Sequence, residues 1–205
     1  MKKIKVVIVG YGNRGQVYAD YSLQEPKQLE IVGVVDPNPF KLEVAQERYK
    51  LKSNQLFKNL DEFKKAKVVC DLVVNSTMDQ DHYETAIKIL SMKYNMLMEK
   101  PIVNNEKQLL EIANAAKKNK CEVFVCHVLR YTPFYRTIKQ ILLEGKIGEI
   151  VTMELNEHVC IPHYLTSYDR GKWAKTKECG SGMLLAKCCH DLDLVAWLNN
   201  KTTPT

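Results

Sequence analysis

The sequence predicts an α/β fold in which a doubly wound parallel sheet is followed by the start of an α+β domain with an antiparallel sheet. Two observations carry this prediction. Short apolar runs alternate with helical segments up to about residue 126, and a long run of period-two alternation follows at 149–159. Parallel strands require a crossover helix between them, whereas period-two alternation indicates a half-exposed antiparallel strand. We therefore place two domains at residues 1–126 and 127–205.

The first domain is predicted to contain six strands separated by five helices. Each strand is a short apolar run bounded by glycine, proline or polar residues. The runs lie at 4–9, 29–35, 55–57, 68–75, 95–98 and 122–126. Each helix has apolar residues at helical spacing, as Tyr83, Ile87 and Leu90 illustrate. The helices lie at 13–23, 40–49, 59–65, 81–91 and 106–119.

The second domain is predicted to begin with an amphipathic helix at 134–144, which a glycine-containing turn ends. The alternating strand at 149–159 comes next, and a helix at 181–199 follows it. One strand cannot form a sheet alone. We therefore expect this domain to be incomplete in a truncated chain.

The composition is typical of a globular protein in solution, with 45% hydrophobic and 26% charged residues. The net charge is +6, but the basic residues are spread along the chain, which argues against a nucleic-acid partner. No apolar run approaches the roughly 20 residues of a membrane span, so we expect no membrane partner. The seven cysteines are odd in number and form no CxxC pair, so we expect reduced thiols and a cytoplasmic location.

A glycine-rich turn follows the first strand and opens the first helix. Gly10, Gly12 and Gly15 have the spacing G-x-G-x-x-G, in which the second glycine lets a pyrophosphate approach the backbone and the third lets the helix pack on its strand. The helix N-terminus offers N–H groups to the phosphates, so Asn13 and Arg14 are also candidate cofactor residues. The alternative is a glycine turn that binds no ligand.

Asp36 ends the second strand, where it can accept hydrogen bonds from the ribose hydroxyls of an adenine dinucleotide. Its charge would repel a 2′-phosphate, and no arginine follows it to reverse that preference. We therefore predict NAD as the cofactor, with NADP less favoured. The structural alternative is that Asp36 only forms the turn or helix cap before Pro37.

Four motifs, taken in order, resemble those of the Gfo/Idh/MocA family, which includes glucose–fructose oxidoreductase and inositol dehydrogenase. The motifs are the glycine-rich turn, Glu99-Lys100-Pro101, Arg130-Tyr131 with Pro133 and Tyr135, and the stretch from Gly182 to Asp193. The resemblance extends over essentially all of the chain. It implies a Rossmann fold in the first domain and a substrate domain after it.

The resemblance also implies roles for individual residues. Lys100 would bind the substrate hydroxyl or the nicotinamide region, and Glu99 would fix the nicotinamide ribose. His190 would be the acid or base beside the nicotinamide ring. The residues that would line the cofactor after the fourth strand are Ser76, Thr77 and His82. A helix cap is an equal alternative for the last of these.

The chemistry of alcohol oxidation supports two of these assignments. Removing a hydride from carbon also removes a proton from oxygen, which requires a base that titrates near neutral pH and a cation for the forming alkoxide. His190 would supply the base and Lys100 the cation. Many family members carry an aspartate four residues before this histidine, where the chain has Ala186. We assign Lys187 as a substrate or relay contact instead, and Asp193 is a candidate to orient the imidazole.

Substrate contacts are predicted at residues that suit a polyhydroxylated ligand, because arginine offers a fork of donors and tryptophan a flat face for sugar C–H groups. The candidates are Arg130, Tyr131, His163, Arg170, Trp173 and Asp191. A surface loop with a buried tryptophan is the alternative. We expect no metal, since Cys188 and Cys189 would point about 100° apart on a helix.

These observations predict an NAD-dependent oxidoreductase that acts on a sugar, a polyol or a related hydroxylated compound. One alternative is an NAD-dependent glycoside hydrolase that oxidises the sugar transiently. Another is a cofactor-binding fragment without activity. Because the second domain is expected to be incomplete, we expect NAD binding with poor activity. The full-length form is expected to be a homo-oligomer.

Overall fold

Six strands form one parallel sheet in the first part of the chain. The computed structural model describes residues 2–171, 173–179 and 181–199. All five strand pairings are parallel, and the strand order is β3-β2-β1-β4-β5-β6. The strands are β1 Ile4–Val9, β2 Leu29–Val35, β3 Leu56–Phe57, β4 Leu72–Asn75, β5 Met96–Met98 and β6 Val123–Val125. The predicted α/β class and doubly wound sheet are confirmed.

Five helices connect these strands, each within a few residues of its predicted position. They are α1 Asn13–Gln24, α2 Pro39–Tyr49, α3 Leu60–Ala66, α4 His82–Ser91 and α5 Glu106–Asn119. Asparagine side chains fix three of the starts, because the side chains of Asn38, Asn59 and Asn105 accept hydrogen bonds from backbone N–H groups in the first turns of α2, α3 and α5.

Helices cover both faces of the sheet, which explains why its strands are almost continuously apolar. Successive residues of β1 point to opposite sides. Val6 and Ile8 belong to a core cluster that includes residues of α1 and α2. Val7 and Val9 belong to a second cluster, which includes residues of α4 and α5.

The strand order reverses between β1 and β4, and this crossing places the candidate site. The chain builds the sheet from β1 toward β3, then returns to the other side of β1 with β4. Backbone hydrogen bonds align the carboxyl ends of β1, β4 and β5. The Ser76 N–H donates to the Val9 carbonyl and the Glu99 N–H donates to the Asn75 carbonyl, each at 2.9 Å. Ligands of such sheets bind beyond the carboxyl ends of the strands at this point of reversal.

The fourth strand is shorter than its apolar run predicts, because it begins at Leu72 rather than at residue 68. Pairing with β1 starts at Val6 opposite Leu72. Just before it, the Asp71 carboxylate accepts the Lys5 N–H at 2.9 Å. The Lys5 N–H is therefore taken by a side chain rather than by the backbone of the preceding apolar residues, and the pairing of β1 with β4 ends there.

The chain divides into two units, Met1–Val125 and Cys126–Thr205. This division falls one residue from the predicted boundary, and the domain roles remain proposals. In the second unit the described helices are α6 Pro133–Leu143, α7 Ile161–Tyr164, α8 Thr176–Cys179 and α9 Met183–Leu198. The last six residues of the chain, 200–205, lie outside the residues that the structure describes.

The prediction of a strand at 149–159 is wrong, because residues 150–160 have no regular secondary structure. A strand is stable only when another strand pairs with its backbone N–H and carbonyl groups. The described part of the second unit contains no other strand. Period-two alternation alone therefore did not produce a strand in this unit.

Within the described residues, no helix is long and apolar enough to cross a membrane. No group of three or more histidine, cysteine or acidic side chains in that part of the chain has the arrangement of a metal site. All seven cysteines lie among the described residues, and none of them forms a disulfide.

Candidate functional site

Two glycines of the turn after β1 are required by its packing against the loop after β4. Gly10 has φ +87°, and a Cβ added to it would lie 2.6 Å from the Ser76 carbonyl oxygen. A Cβ added to Gly15 would lie 2.2 Å from the carbonyl oxygen of Gly10. Because real Cβ atoms do not approach backbone oxygens this closely, the turn and the start of α1 can reach this position only with glycine at both places.

Gly12 is different, because the protein itself does not require a glycine there. It is the N-cap of α1 with φ −86° and ψ −167°, an extended conformation open to any residue. A Cβ added to it would meet no atom within 4 Å. The open space adjoins a helix N-terminus whose first turn carries no acidic side chain, where backbone N–H groups attract an anion. The open space at Gly12, together with the N–H groups at the start of α1, therefore fits a pyrophosphate.

Asp36 is buried at the end of β2 and is held by three donors. Its Oδ2 accepts the Tyr11 N–H at 2.8 Å and the Lys41 Nζ at 3.2 Å, and its Oδ1 accepts the Asn38 N–H at 2.9 Å. The carboxylate thus braces the glycine turn from the neighbouring strand. The sequence analysis missed Lys41, although its place five residues after the acid, in the first turn of α2, is visible in the sequence.

The loop after β4 supports the glycine turn from the other side. Ser76 Oγ donates to the Gly10 carbonyl at 2.8 Å. Thr77 Oγ1 donates at 2.8 Å to Oδ1 of Asn75, which is completely buried. Ser76 and Thr77, both predicted to line the cofactor, therefore follow β4 at the strand edge where the turn lies.

His82 links this loop to the turn that carries Lys100. Its Nδ1 lies 2.7 Å from the Pro101 carbonyl oxygen and its Nε2 lies 3.2 Å from the Thr77 carbonyl oxygen. Its ring is buried, with 1% of the residue exposed. His82 was predicted to line the cofactor. In the structure both of its ring nitrogens face backbone carbonyls, and its side chain joins two loops.

Glu99 is the buried acid that joins α1 to the end of β5. Its Oε1 accepts hydrogen bonds from Arg14 Nε at 2.6 Å and Tyr18 Oη at 2.5 Å, and its Oε2 accepts the Lys100 N–H at 3.0 Å. Arg14, predicted as a cofactor residue, is therefore committed to this acid. The sequence analysis missed Tyr18, which lies four residues after Arg14 and hence on the same helix face.

Glu99 is expected to make the protein lose stability in acid. Burial favours the neutral acid, but hydrogen bonds from Tyr18 and Arg14 outweigh it and hold the pKa of Glu99 below its ordinary value. Such a carboxylate stabilises the fold fully above its unfolded pKa, near 4.3, and this stabilisation is lost as the pH falls through the lower pKa of the folded state. Urea unfolding between about pH 5 and 3 should show a steeper loss of unfolding free energy in the wild type than in Glu99→Gln.

The matched control for this measurement is Glu106→Gln, which removes an exposed carboxylate from the first turn of α5. It should keep the wild-type dependence on pH. Parallel acid profiles for the wild type and Glu99→Gln would contradict the prediction.

In the second unit, α9 carries His190 near an ion pair whose carboxylate, that of Asp193, is buried. Asp193 on α9 accepts two hydrogen bonds from Arg130, at 2.7 Å from Nε and 2.5 Å from Nη2. The Nε2 atom of His127 lies 3.7 Å from the same carboxylate, and its ring meets the His190 ring edge-on at 6.1 Å between centroids. Arg130, predicted to contact substrate, is instead paired with Asp193, which the sequence analysis considered as a partner for His190.

A second group of charged side chains lies along the same helix. Lys187 Nζ lies 3.1 Å from Oε1 of Glu157. Ala186, four residues before His190, is buried. Oδ2 of Asp191 is buried and has no hydrogen-bond partner among the described residues.

Glu157 was not predicted as a site residue, because alternation assigns its segment to a strand. His127 was not predicted either, because it follows the last strand of the first unit without a recognisable motif. Both residues reach α9 from segments distant in sequence, and no local pattern signals such a contact.

Of the remaining substrate candidates, His163, Arg170 and Trp173 lie on or soon after α7, whereas Tyr131 lies before α6. Tyr168 packs against the rings of His163 at 5.8 Å and Trp173 at 6.5 Å. The Arg170 side chain is 82% exposed and lies 3.4 Å from Asp169. Tyr131, in the 3₁₀ turn before α6, is largely exposed. The aromatic cluster thus has a centre, Tyr168, that the sequence analysis did not select.

Comparison with protein families gives two matches in chain order. A model described as an oxidoreductase family with an NAD-binding Rossmann fold matches residues 4–127. A model described as the GFO/IDH/MocA C-terminal domain matches residues 135–203. Together they cover most of the chain, in the order that the sequence resemblance predicts.

The chain is also similar to individual proteins. It is 28% identical to the putative oxidoreductase YteT of Bacillus subtilis (strain 168) over 170 residues, which are 82% of this chain and 39% of YteT. The solved structure of myo-inositol 2-dehydrogenase from Lactobacillus plantarum matches with a TM-score of 0.83 at 21% identity, covering 96% of this chain and 56% of that one. The WlbA dehydrogenase from Bordetella pertussis, in complex with NADH and UDP-GlcNAcA, matches with a TM-score of 0.79 at 22% identity, covering 97% and 57%.

These two structural matches show the fold. The chain spans 39% to 57% of the length of these three proteins.

Proposed function

Because this chain belongs to the Gfo/Idh/MocA oxidoreductase family, we propose that it binds NAD and transfers a hydride between the nicotinamide and a hydroxyl-bearing carbon of a sugar, polyol or related compound. The observation that carries the proposal is the open space at Gly12 beside the N-terminus of α1. Packing explains Gly10 and Gly15, and the close approach of a pyrophosphate to the backbone accounts for the second glycine of the motif.

The first unit supplies the groups that would hold the cofactor. Backbone N–H groups at the start of α1, from Asn13 onward, bind the pyrophosphate across the face of Gly12. Asp36 accepts a hydrogen bond from the adenosine ribose. Thr77 and Glu99 lie after β4 and β5 and position the nicotinamide half. We therefore assign cofactor binding to a domain at residues 1–126 and substrate binding to a domain at residues 127–205.

The chemistry requires one hydride acceptor, one base and one cation. NAD, when bound by the first unit, would supply the hydride acceptor. The Lys100 ammonium binds the substrate oxygen and stabilises the negative charge that develops on it. The imidazole of His190 takes the hydroxyl proton, a role that contributes roughly 10²–10⁴ in rate. Lys187, paired with Glu157 one helical turn before His190, contacts a neighbouring hydroxyl.

The substrate class follows from the polar groups of the second unit. Asp191 offers a buried carboxylate oxygen that a substrate hydroxyl can satisfy. Trp173 and its neighbours offer aromatic faces of the kind that bind sugar C–H groups. A polyol such as inositol, or a sugar carried on a nucleotide, fits this combination, and the names of the similar dehydrogenases support the same class.

The proposed function is tested in two steps. Titration of NADH into the folded chain, followed by nicotinamide fluorescence, should show saturable binding. The chain is then incubated with NAD and a panel of inositols, aldoses and nucleotide sugars, and NADH formation is followed by absorbance. NADH formation with a member of the panel supports the proposal. Cleavage of an aryl glycoside without NADH accumulation would replace it with glycoside hydrolysis, and absence of nucleotide binding would refute it.

A further inference from the structure

Two imidazole rings, those of His127 and His190, are packed together in the second unit. They meet at 84° with 6.1 Å between their centroids, a separation typical of packed aromatic rings. Two positive charges at this separation repel each other enough to move a titration by roughly 0.5–2 pH units, depending on the effective dielectric constant. Whichever ring is protonated first therefore makes protonation of the other less favourable.

The carboxylate of Asp193 favours a proton on His127. Its Oδ1 lies 3.7 Å from His127 Nε2, and only 8% of its side chain is exposed. A buried carboxylate at this distance stabilises the charged form of an imidazole. The His127 side chain is itself 21% exposed, so solvent can deliver the proton.

Two cations from neighbouring segments oppose this effect, but weakly. Arg130 donates two hydrogen bonds to Asp193, yet its side chain is 36% exposed. Water screens an exposed charge more than a buried one, so the field of the carboxylate prevails at His127. The Lys139 ammonium reaches α9 from α6 and donates to the Trp197 carbonyl, one turn beyond Asp193.

The charged groups around His190 have both signs. The Lys187 ammonium lies three residues before it and is 3.1 Å from Oε1 of Glu157, which offsets its charge. Asp191 follows His190 directly, so its side chain points about 100° away around the helix. Imidazole is the side chain that ordinarily changes charge between about pH 5 and 8. His127 is therefore the neighbour that can change the charge around His190 in this range.

We propose that His127 is a positioning residue for the base: beside Asp193 it takes the first proton of the pair, and it thereby keeps His190 unprotonated as the pH falls below neutral. The inference rests on the proposed function, since His190 is the base assigned to that reaction. A neutral imidazole can accept the hydroxyl proton, whereas an imidazolium cannot. His127 has no contact with substrate in this role and acts through His190.

The test follows the histidine ring signals of the unliganded chain by NMR, from about pH 8 to 5. The chain has five histidines, which keeps the spectrum simple. In the wild type we expect His127 to be protonated first. His127→Phe keeps an aromatic ring against His190 but carries no charge, so the midpoint of the His190 titration should rise by roughly 0.5–2 pH units. A merely structural role of His127 would change stability without moving this midpoint.

His158→Phe is the control, because it makes the same change at an exposed histidine of the second unit. Solvent screens that position, so the His190 midpoint should stay within about 0.2 pH units of the wild type. Should His127→Phe fail to fold, assignment of the wild-type signals through the backbone still gives the order in which the two rings are protonated.

The possible failures are distinguishable. An unchanged His190 midpoint in folded His127→Phe, or a wild type in which His190 is protonated before His127, overturns the inference and leaves the proposed function standing. An equal rise in His158→Phe also overturns it, because the effect would then be one of overall charge. The titrations contain no nucleotide. A folded chain that does not bind NADH therefore refutes the proposed function, whatever the order of protonation.

Discussion

Replacing Gly12 with valine is expected to weaken NADH binding by at least about 100-fold while leaving the fold intact. The extended backbone at Gly12 accepts any residue, and an added Cβ meets no protein atom within 4 Å. The valine side chain would instead occupy the space from which a pyrophosphate approaches the N–H groups of α1. Loss of several charge-assisted hydrogen bonds, each about 1.5–3 kcal/mol, accounts for the magnitude. Fluorescence titration with NADH measures the affinity, and thermal unfolding measures the fold.

Gly15→Ala is the matched control with the opposite expected outcome. Its Cβ would lie 2.2 Å from the Gly10 carbonyl oxygen, so the turn must move or the helix must shift. We expect a loss of roughly 1–3 kcal/mol in the free energy of unfolding from this overpacking, which Gly12→Val should not show. Wild-type NADH affinity in a folded Gly12→Val variant would remove the main support for the dinucleotide site.

The parallel sheet and its glycine turn were predictable because their signals are local. Buried strands such as β1 are short β-branched runs, and the turn after them requires glycine at positions that spacing alone reveals. Asp36 was predictable for the same reason, since it ends a strand at a fixed place relative to the turn. The order of the motifs along the chain added the family, and family matches over residues 4–127 and 135–203 agree with it.

The contacts that adjust the site were not predictable, because they join side chains distant in sequence. Lys41 reaches Asp36 only once α2 is packed on β2, and Tyr18 reaches Glu99 only once α1 crosses the end of β5. The strand expected at 149–159 failed for a related reason. Alternation describes which side chains can face a core, but a strand also needs a partner, and the partner is a property of the fold rather than of the segment.

Replacing His190 with glutamine is expected to lower the rate of alcohol oxidation by about 10²–10⁴-fold without changing NADH affinity. The glutamine keeps a polar side chain at this place on α9, but it cannot take a proton near neutral pH, whereas imidazole can. The reaction is followed under single-turnover conditions, with the chain in excess over NAD, so that slow chemistry is still measured. The wild-type rate should fall in acid as the base becomes protonated, and the residual rate of the variant should lose this pH dependence.

His158→Gln is the matched control, because it makes the same change at an exposed histidine of the second unit to which no role is assigned. It should retain the wild-type rate within a few fold and the same dependence on pH. Equal losses in the two variants would mean that the second unit tolerates neither change and that His190 has no special role. A folded His190→Gln variant that oxidises substrate at the wild-type rate, with the wild-type pH profile, would show that the proton is taken by another group.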